Sequence, residues 1–423
     1  MFTETDGKRL NRADFTGWYR RNRARSSELF GLIHDDALHD RPIPLRHPFV
    51  FYMGHLPAFS FMTHNERTLG EAPVDAALER LFERGIDPGS RGQARRQQPN
   101  EWPSLETIAD FGSACDRRVL QALERAPLSD ASVPRLQRAQ SVYTILEHEP
   151  MHHETLTYLI HRLAYDRKSH VAQVHRDTPA PSNDLVQIPQ GRATLGADPD
   201  ELPFGWDNEF GKTLVDVPGF SIQRFPITNG EWLAFVRAGG PVPSFWIERE
   251  GRWSLRGAFE ELPLARSWPV YVSHDLADAY ARWVGMSLPT EAQYHRAAFG
   301  TPDGTERAFP WGEQGPQARH GNFDFARYDP EPVDAHPDGA SAWGVYDLIG
   351  NGWEWTATPF GPHPGFDPMA SYPQYSADFF DGKHFVMKGA SPVTARETIR
   401  RSFRNWFYGD YPYAYAKFRC TTP

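Results

Sequence analysis

The hydrophobic pattern of the first third of the chain predicts helices. Apolar residues there recur about every three or four positions, which places them on one face of a helix. Ser104, directly before one such segment, and Glu106 in its first turn are typical of a helix N-terminus. We therefore predict a bundle of mostly amphipathic helices. The predicted helices cover residues 12–33, 48–62, 74–83, 105–124 and 133–165.

The pattern changes after a polar, proline-rich stretch. Residues 185–189 are typical of a strand, and glycine and proline interrupt the remaining sequence frequently. Two helices are predicted in this part, at 229–238 and 274–284. We therefore predict an α+β multidomain protein. Its parts are a helical bundle at 1–176, a linker at 177–184 and an irregular domain at 185–423.

Composition narrows the class of protein. The 423 residues are 40% hydrophobic and carry a formal net charge of -9, which is typical of a globular chain and unfavourable for nucleic-acid binding. Cys115 and Cys420 are the two cysteines, too few for a disulfide framework. The first residues lack the apolar stretch of a signal peptide, and no apolar run is long enough for a bilayer. We expect a cytoplasmic protein that binds neither nucleic acid nor membranes.

The segment 146–154 carries the most specific chemistry. His148 and His152 are four residues apart, so on a helix they lie on one face and can bind one metal ion. With Glu149 they match the H-E-x-x-H motif of zinc proteases, where the glutamate is the general base. Pro150 predicts a local distortion of the helix. His153 points about 100° away, so we expect it to support the site or simply to pack.

The second part resembles a known family in several short segments. These are Phe-Pro-Ile-Thr-Asn at 225–229, Pro-Val-Tyr-Val-Ser at 269–273, Leu-Pro-Thr-Glu-Ala-Gln-Tyr at 288–294, Phe-Pro-Trp-Gly at 309–312 and Gly-Asn-Gly-Trp-Glu-Trp-Thr at 350–356. In order and spacing they resemble the formylglycine-generating-enzyme (sulfatase-modifying factor) family over residues 185–423. The resemblance implies a C-type-lectin-like fold, in which most of these segments are structural.

The chemistry of that family is not expected here. Its formylglycine-generating members bind copper through a pair of cysteines near the C-terminus, whereas the corresponding stretch 401–411 contains none. Cys420 falls in the predicted closing strand, where a cysteine usually packs as a small apolar residue.

The two parts together resemble one enzyme group. It comprises the non-haem iron sulfoxide synthases of ergothioneine and ovothiol biosynthesis and their relative, selenoneine synthase. The resemblance implies a DinB-like bundle in which three histidines bind Fe(II). His148 and His152 match the late pair, and His55 matches the early ligand best, with His47 and His64 as alternatives. A zinc protease is disfavoured, because it would not carry a lectin-like partner domain.

The same resemblance implies further site residues. A tyrosine of the second domain donates a proton or hydrogen atom in this group, and Tyr372 matches it, while Tyr375 matches a substrate-pocket residue. The substrates would be hercynine, O2 and a sulfur or selenium donor. Asn405 and Trp406 match the residues at the hercynine end. The alternative for the two tyrosines is aromatic packing.

The chain departs from the group at two positions that bind the thiol substrate. The γ-glutamylcysteine enzymes carry an aspartate and an arginine where this chain has Phe407 and Tyr411. Loss of a carboxylate and a guanidinium weakens binding of a doubly charged dipeptide, and aromatic faces suit a sugar better. Met151 also replaces a glutamine that helps to hold hercynine.

We therefore predict a non-haem Fe(II) oxidoreductase that forms a C–Se bond between the imidazole C2 of hercynine and a selenosugar, in selenoneine biosynthesis. The first alternative is a sulfoxide synthase that uses cysteine or γ-glutamylcysteine, with Arg91, Arg95 and Arg96 as a carboxylate anchor. The second is a non-catalytic metal- and ligand-binding protein. Retention of the three histidines, Tyr372 and Asn405 favours an enzyme.

Overall fold

The chain folds as two compact units. The computed structural model describes residues 10–83 and 101–422. The first unit contains the described residues up to Val171 together with Ala370–Tyr372, and the second contains Ala172–Met369 and the described residues from Pro373 onward. A tripeptide from late in the sequence thus belongs to the first unit. The domain bounds 1–176 and 185–423 with a linker at 177–184 stay a prediction.

The first unit is a helical bundle, as the apolar periodicity predicts. Its helices are α1 (Arg12–Phe30), α2 (Phe49–Ser60), α3 (Ala76–Phe82), α4 (Leu105–Arg125) and α5 (Gln140–Arg162). A π-helical turn, Phe61–Glu66, extends α2. Helix α2 packs on α4, and α1 packs on α5. Within the described ranges, every helix is too short or too polar to cross a bilayer.

The start of α4 agrees with its sequence signal, whereas the start of α5 differs from the prediction. The Ser104 hydroxyl accepts a hydrogen bond from the N–H of Thr107 at 3.1 Å, as expected of an N-cap. Helix α5 begins at Gln140, so the predicted start at residue 133 is wrong. Arg138 and Ala139 have φ of 54° and 57°. Left-handed residues cannot continue an α-helix, so α5 starts after them.

Pro150 lies inside α5 without ending it. Proline has no N–H, so the carbonyl of Leu146, four residues earlier, loses its partner in the helix. The side-chain amide of Asn22 on α1 donates to that carbonyl oxygen at 2.8 Å. The neighbouring helix thus supplies the missing donor, and α5 runs unbroken to Arg162.

The second unit consists of short strands and three short helices among its described residues. The helices are α6 (Asn229–Arg237), α7 (His274–Trp283) and α8 (Glu291–Phe299). Two of these were predicted, but α8 was not. Its capping box was present in the sequence: Thr290 Oγ1 accepts from the N–H of Gln293, and Gln293 Oε1 accepts from the N–H of Thr290.

The strands form four small sheets among the described residues. They are β1 (Leu185–Ile188), β2 (Gly191–Leu195), β3 (Thr213–Val217), β4 (Phe220–Gln223), β5 (Trp246–Arg249), β6 (Arg252–Arg256), β7 (Glu261–Pro263), β8 (Gly352–Pro359), β9 (His384–Ala390), β10 (Asn405–Tyr408) and β11 (Ala416–Lys417). The largest sheet has the order β10-β9-β8-β11. In it, β8 pairs antiparallel with β9 and parallel with β11.

The Gly-Asn-x-Trp-Glu-Trp segment builds the centre of this sheet. Trp353 and Trp355 on β8 are buried. Between them, Glu354 forms a fully buried ion pair with Arg419 at 2.5 Å. The two cysteines are also buried and free. These contacts agree with the structural interpretation of the motif.

Candidate functional site

Three histidines of the first unit bring their Nε2 atoms together. The Nε2 atom of His152 lies 3.3 Å from that of His55 on α2 and 3.1 Å from that of His148 on α5. The ligand atoms of all three lie within 4.8 Å of one another. Imidazole nitrogens bind zinc at about 2.1 Å, so two of them at a right angle around such an ion would be about 3 Å apart. The spacing fits one metal ion.

The protonation state of the three histidines also suits the binding of a metal cation. Burial lowers the pKa of His55 to about 4 and holds the pKa values of His148 and His152 well below the ordinary range. The rings are therefore neutral at pH 7. The Nδ1 atom of His55 lies 2.7 Å from the carbonyl oxygen of Phe82, which can only accept. Nδ1 thus carries the hydrogen, and Nε2 presents a lone pair to the centre.

A glycine makes this arrangement possible. A Cβ atom on Gly54 would lie 2.5 Å from the ring of Phe82. Only a residue without a side chain allows α2 and α3 to approach so closely. The approach brings the carbonyl of Phe82 behind His55, and such an acceptor fixes the orientation of a ligand imidazole.

Two aromatic rings line one side of the triad. Phe59 stacks on His148 with a centroid distance of 3.4 Å and an interplanar angle of 9°. The half-buried ring of Tyr372 lies edge-on, 5.1 Å from Phe59 and 6.0 Å from His148 between centroids. The structure therefore brings the predicted donor tyrosine to the three predicted ligands.

The two alternative histidines lie outside the triad. His47 stacks on Phe51 with a centroid distance of 4.0 Å. The Nδ1 atom of His64 lies 3.0 Å from the hydroxyl of Ser141, and its ring is fully buried. Neither belongs to the cluster formed by His55 and the pair on α5.

Glu149 of the motif and the adjacent His153 face α1. Glu149 Oε1 accepts hydrogen bonds from Arg23 at 2.7 Å and from Ser26 at 2.5 Å. The Ser26 hydroxyl also lies 2.9 Å from Nε2 of His153, whose pKa burial lowers to about 3. Burial raises the pKa of the Glu149 carboxyl, which Arg23 partly opposes. A glutamate held in this way is not placed as the general base of a zinc protease.

The predicted substrate residues of the second unit form two groups. Successive residues of β10 point to opposite faces of the sheet. On one face, Trp406 meets the edge of Tyr375 at 5.2 Å between centroids, and Tyr375 stacks on Trp206 at 3.9 Å. On the other face, Phe407 stacks on Tyr411 at 4.6 Å.

Asn405 shares the strand face of Phe407 rather than that of Trp406. Its side-chain oxygen accepts from the N–H of Trp406 at 2.8 Å. The two residues predicted for the hercynine end, Asn405 and Trp406, thus lie on opposite faces of β10. The predicted anchor arginines, Arg91, Arg95 and Arg96, lie outside the described residues.

Sequence reasoning missed several contacts of the site. Phe59, Arg23 and Ser26 carried no signal, because only the packing of α1 and α2 on α5 brings them to the motif. A signal did exist for Gln140 and Thr144, which touch the tripeptide 370–372. They precede the two histidines of α5 at the same spacing of four residues.

Comparison with protein families identifies both parts of the chain. Residues 19–156 match the DinB superfamily. Residues 171–422, more than half of the chain, match the sulfatase-modifying factor enzyme 1-like domain. The chain belongs to the sulfatase-modifying factor enzyme 1-like family. The predicted fold class, a DinB-like helical bundle with a C-type-lectin-like domain, is confirmed.

Three relatives of this sulfatase-modifying-factor-like chain are informative. The hercynine oxygenase of Mycolicibacterium thermoresistibile is 32% identical over 360 residues, which are 79% of this chain and 77% of that protein. The hercynine oxygenase of Mycobacterium tuberculosis is 39% identical over 242 residues, 52% of this chain and 55% of that protein. Ergothioneine biosynthesis protein 1 of Schizosaccharomyces pombe is 29% identical over 427 residues, 91% of this chain and 53% of that protein.

The alignments span about half the length of the last two relatives. Two of these relatives are named as oxygenases, which are oxidoreductases, and the prediction of an enzyme is confirmed.

Proposed function

We propose that the protein is a non-haem iron enzyme that joins hercynine to the selenium atom of a selenosugar. The imidazole C2–H and the Se–H bonds break, and C–Se and Se–O bonds form. O2 accepts four electrons, so that one oxygen atom enters the selenoxide and the other leaves as water. The proposal rests on a histidine triad beside Tyr372 in a chain of this family.

The metal in this proposal is Fe(II), held by His55, His148 and His152. Their neutral imidazoles suit a divalent first-row metal, and no carboxylate among the described residues joins the cluster. A bound Fe(II) ion would supply redox chemistry with O2 and an open position for a soft sulfur or selenium donor. The carbonyl of Phe82 holds the ring of His55 by a hydrogen bond, and Phe59 holds the ring of His148 by stacking.

Tyr372 is the proposed proton donor. Its ring lies edge-on to His148 and is only half-buried, so its hydroxyl can exchange protons with a substrate held beside the triad. Glu149 has no such role, because its carboxylate is bound by Arg23 and Ser26.

The names of the relatives support hercynine as the acceptor. Two of them are called hercynine oxygenases, and the alignment to that of Mycolicibacterium thermoresistibile covers most of both chains. Hercynine carries an imidazole ring, whose C2 is the carbon that the proposed reaction modifies.

Residues of the second unit favour a selenosugar as the donor. Phe407 stacks on the buried Tyr411, and the half-buried ring of Phe407 offers an uncharged aromatic surface. A γ-glutamylcysteine molecule would need a carboxylate and a guanidinium for its charged ends. The aromatic surface instead suits the C–H faces of a sugar, and its polar edges suit the hydroxyl groups.

The runner-up is a sulfoxide synthase that forms a C–S bond with cysteine or γ-glutamylcysteine. The name of the Schizosaccharomyces pombe relative, ergothioneine biosynthesis protein 1, favours it. Both reactions use the same triad and the same acceptor, so they differ in the donor alone.

A competition assay distinguishes the two. The protein is loaded anaerobically with Fe(II), then given hercynine, O2 and equal amounts of selenoglucose, γ-glutamylcysteine and cysteine, and the products are identified by mass spectrometry. A selenium adduct of the hercynine ring supports the proposal. A sulfoxide of cysteine or γ-glutamylcysteine would establish the runner-up, and no coupled product would refute both.

A further inference from the structure

We propose that Gln140, Thr144 and Arg135 are positioning residues that clamp the tripeptide 370–372 and thereby set the place of the Tyr372 phenol. This inference rests on the proposed function, in which Tyr372 donates a proton. It concerns residues that are not metal ligands and that reach Tyr372 through their hydrogen bonds to the tripeptide.

Hydrogen bonds from three side chains hold the tripeptide. Gln140 Oε1 accepts from the backbone N–H of Ser371 at 3.0 Å. Arg135 Nε donates to the carbonyl oxygen of Ala370 at 3.1 Å. The hydroxyl oxygens of Thr144 and Ser371 lie 2.7 Å apart, and both side chains are buried. Backbone and side chain of Ser371 are thus fixed together.

The direction of the hydroxyl bond follows from the helix. Thr144 Oγ1 donates its one hydrogen to the carbonyl oxygen of Gln140 at 2.8 Å. It can then only accept from Ser371, so the Ser371 hydroxyl is the donor. Each partner in this buried pair has one defined role, which a substitution at either end would remove.

One stripe of α5 carries both the clamp and the metal ligands. Gln140, Thr144, His148 and His152 follow one another at intervals of four residues, and residues four apart are neighbours on a helix surface. The helix that supplies two imidazoles therefore also supplies two of the clamping side chains. Any shift of the tripeptide would move Tyr372 relative to the imidazoles of the same helix.

Tyr372 is restricted from its other side as well. Pro373 follows it directly, and a residue before proline is confined largely to extended backbone. The clamp fixes the preceding residue, Ser371, so the tyrosine has little freedom except rotation of its side chain. Proton transfer needs such placement, because a displacement of about 1 Å can cost a factor of about 100 in rate.

The test compares two buried threonines of α5. Thr144 and Thr157 each donate to the carbonyl four residues earlier at 2.8 Å, but of these two only Thr144 forms a hydrogen bond with the tripeptide. We expect Thr144→Val to lower kcat by about 10- to 100-fold, with unchanged KM for both substrates, unchanged iron content and a larger solvent deuterium isotope effect. Thr157→Val should match the wild type. Equal kcat in the two variants would overturn the proposal.

Two further measurements separate this inference from the proposed function. Thr144→Val should have no additional effect on kcat in a Tyr372→Phe background, and an additive loss would contradict the clamp. Gln140→Leu should increase hydrogen exchange at the Ser371 amide, a readout that needs no activity, and unchanged exchange would also contradict it. Failure of the proposed function would instead show as the absence of coupled product with the wild type.

Discussion

The side-chain amide of Asn22 donates a hydrogen bond to the carbonyl oxygen of Leu146 across the α1–α5 interface, with an N···O distance of 2.8 Å. This carbonyl is the one that Pro150 leaves without a helical donor. We therefore expect Asn22→Leu to reduce the free energy of unfolding by about 1–3 kcal/mol, the usual loss when a buried acceptor becomes unpaired.

The same relationship predicts the result of a double-mutant cycle. Pro150→Ala restores a backbone N–H for Leu146, so the cost of Asn22→Leu should fall in that background. Denaturant unfolding of the four proteins measures the coupling. Additive effects would mean that Asn22 does not compensate for the proline.

Removal of one imidazole from the triad should abolish metal binding. We expect His152→Ala to lose stoichiometric Fe(II) after anaerobic loading, as measured by metal analysis of the desalted protein. His64→Gln is the control, because His64 is a buried histidine of the same bundle that lies outside the cluster. Retention of iron by the first variant, or loss by the control, would show that the ligands are assigned wrongly.

Glu149→Gln should affect stability rather than metal binding. The substitution removes the charged partner of Arg23 from a buried position, so we expect a loss of about 1–3 kcal/mol in the free energy of unfolding. Glu124→Gln is the control, since its ion pair with Arg20 is exposed and worth at most about 1 kcal/mol. Iron loss without any loss of stability would indicate instead that Glu149 serves the metal centre.

Asp207 makes the stability of the second unit depend on pH. Burial raises the pKa of its carboxyl from 3.8 to about 6, although a 2.6 Å hydrogen bond from Ser376 opposes the shift. The folded state therefore favours the protonated form, and stability is lost as pH rises through about 6. The advantage of Asp207→Asn over the wild type should grow by about 1–2 kcal/mol between pH 5 and pH 8. Thermal unfolding at both values measures it, and a constant difference would contradict the assignment.

The donor preference should respond to a double substitution on β10 and the following turn. Phe407→Asp with Tyr411→Arg restores opposite charges for the ends of a dipeptide, so the product ratio should shift from the selenosugar toward γ-glutamylcysteine. Tyr408→Phe is the control, because Tyr408 lies on the opposite face beside His384. An unchanged ratio in the double variant would remove the argument for an uncharged donor.

Local signals in the sequence were sufficient for most helix positions. The cap at Ser104 predicts the start of α4, and the four-residue spacing of His148 and His152 predicts their shared face. The later start of α5 was not predictable in the same way, because Arg138 and Ala139 are not residue types that favour left-handed backbone.

The third histidine shows where single-sequence reasoning ends. His47, His55 and His64 all lie on or beside α2, and no local pattern distinguishes them. Which of them lies near His148 and His152 depends on how α2 packs against α5. Gly54 contributes to the orientation of His55 by allowing α3 to approach α2. Resemblance to a family pointed to His55, whereas elementary chemistry left all three open.

The membership of Ala370–Tyr372 in the first unit has a consequence for evolution by recombination. Exchange of whole domains at the boundary near residue 171 would keep the three histidines but discard the tyrosine that accompanies them. A functional chimera would have to inherit this tripeptide together with Gln140 and Thr144. The smallest heritable module of the proposed chemistry is therefore discontinuous in the gene.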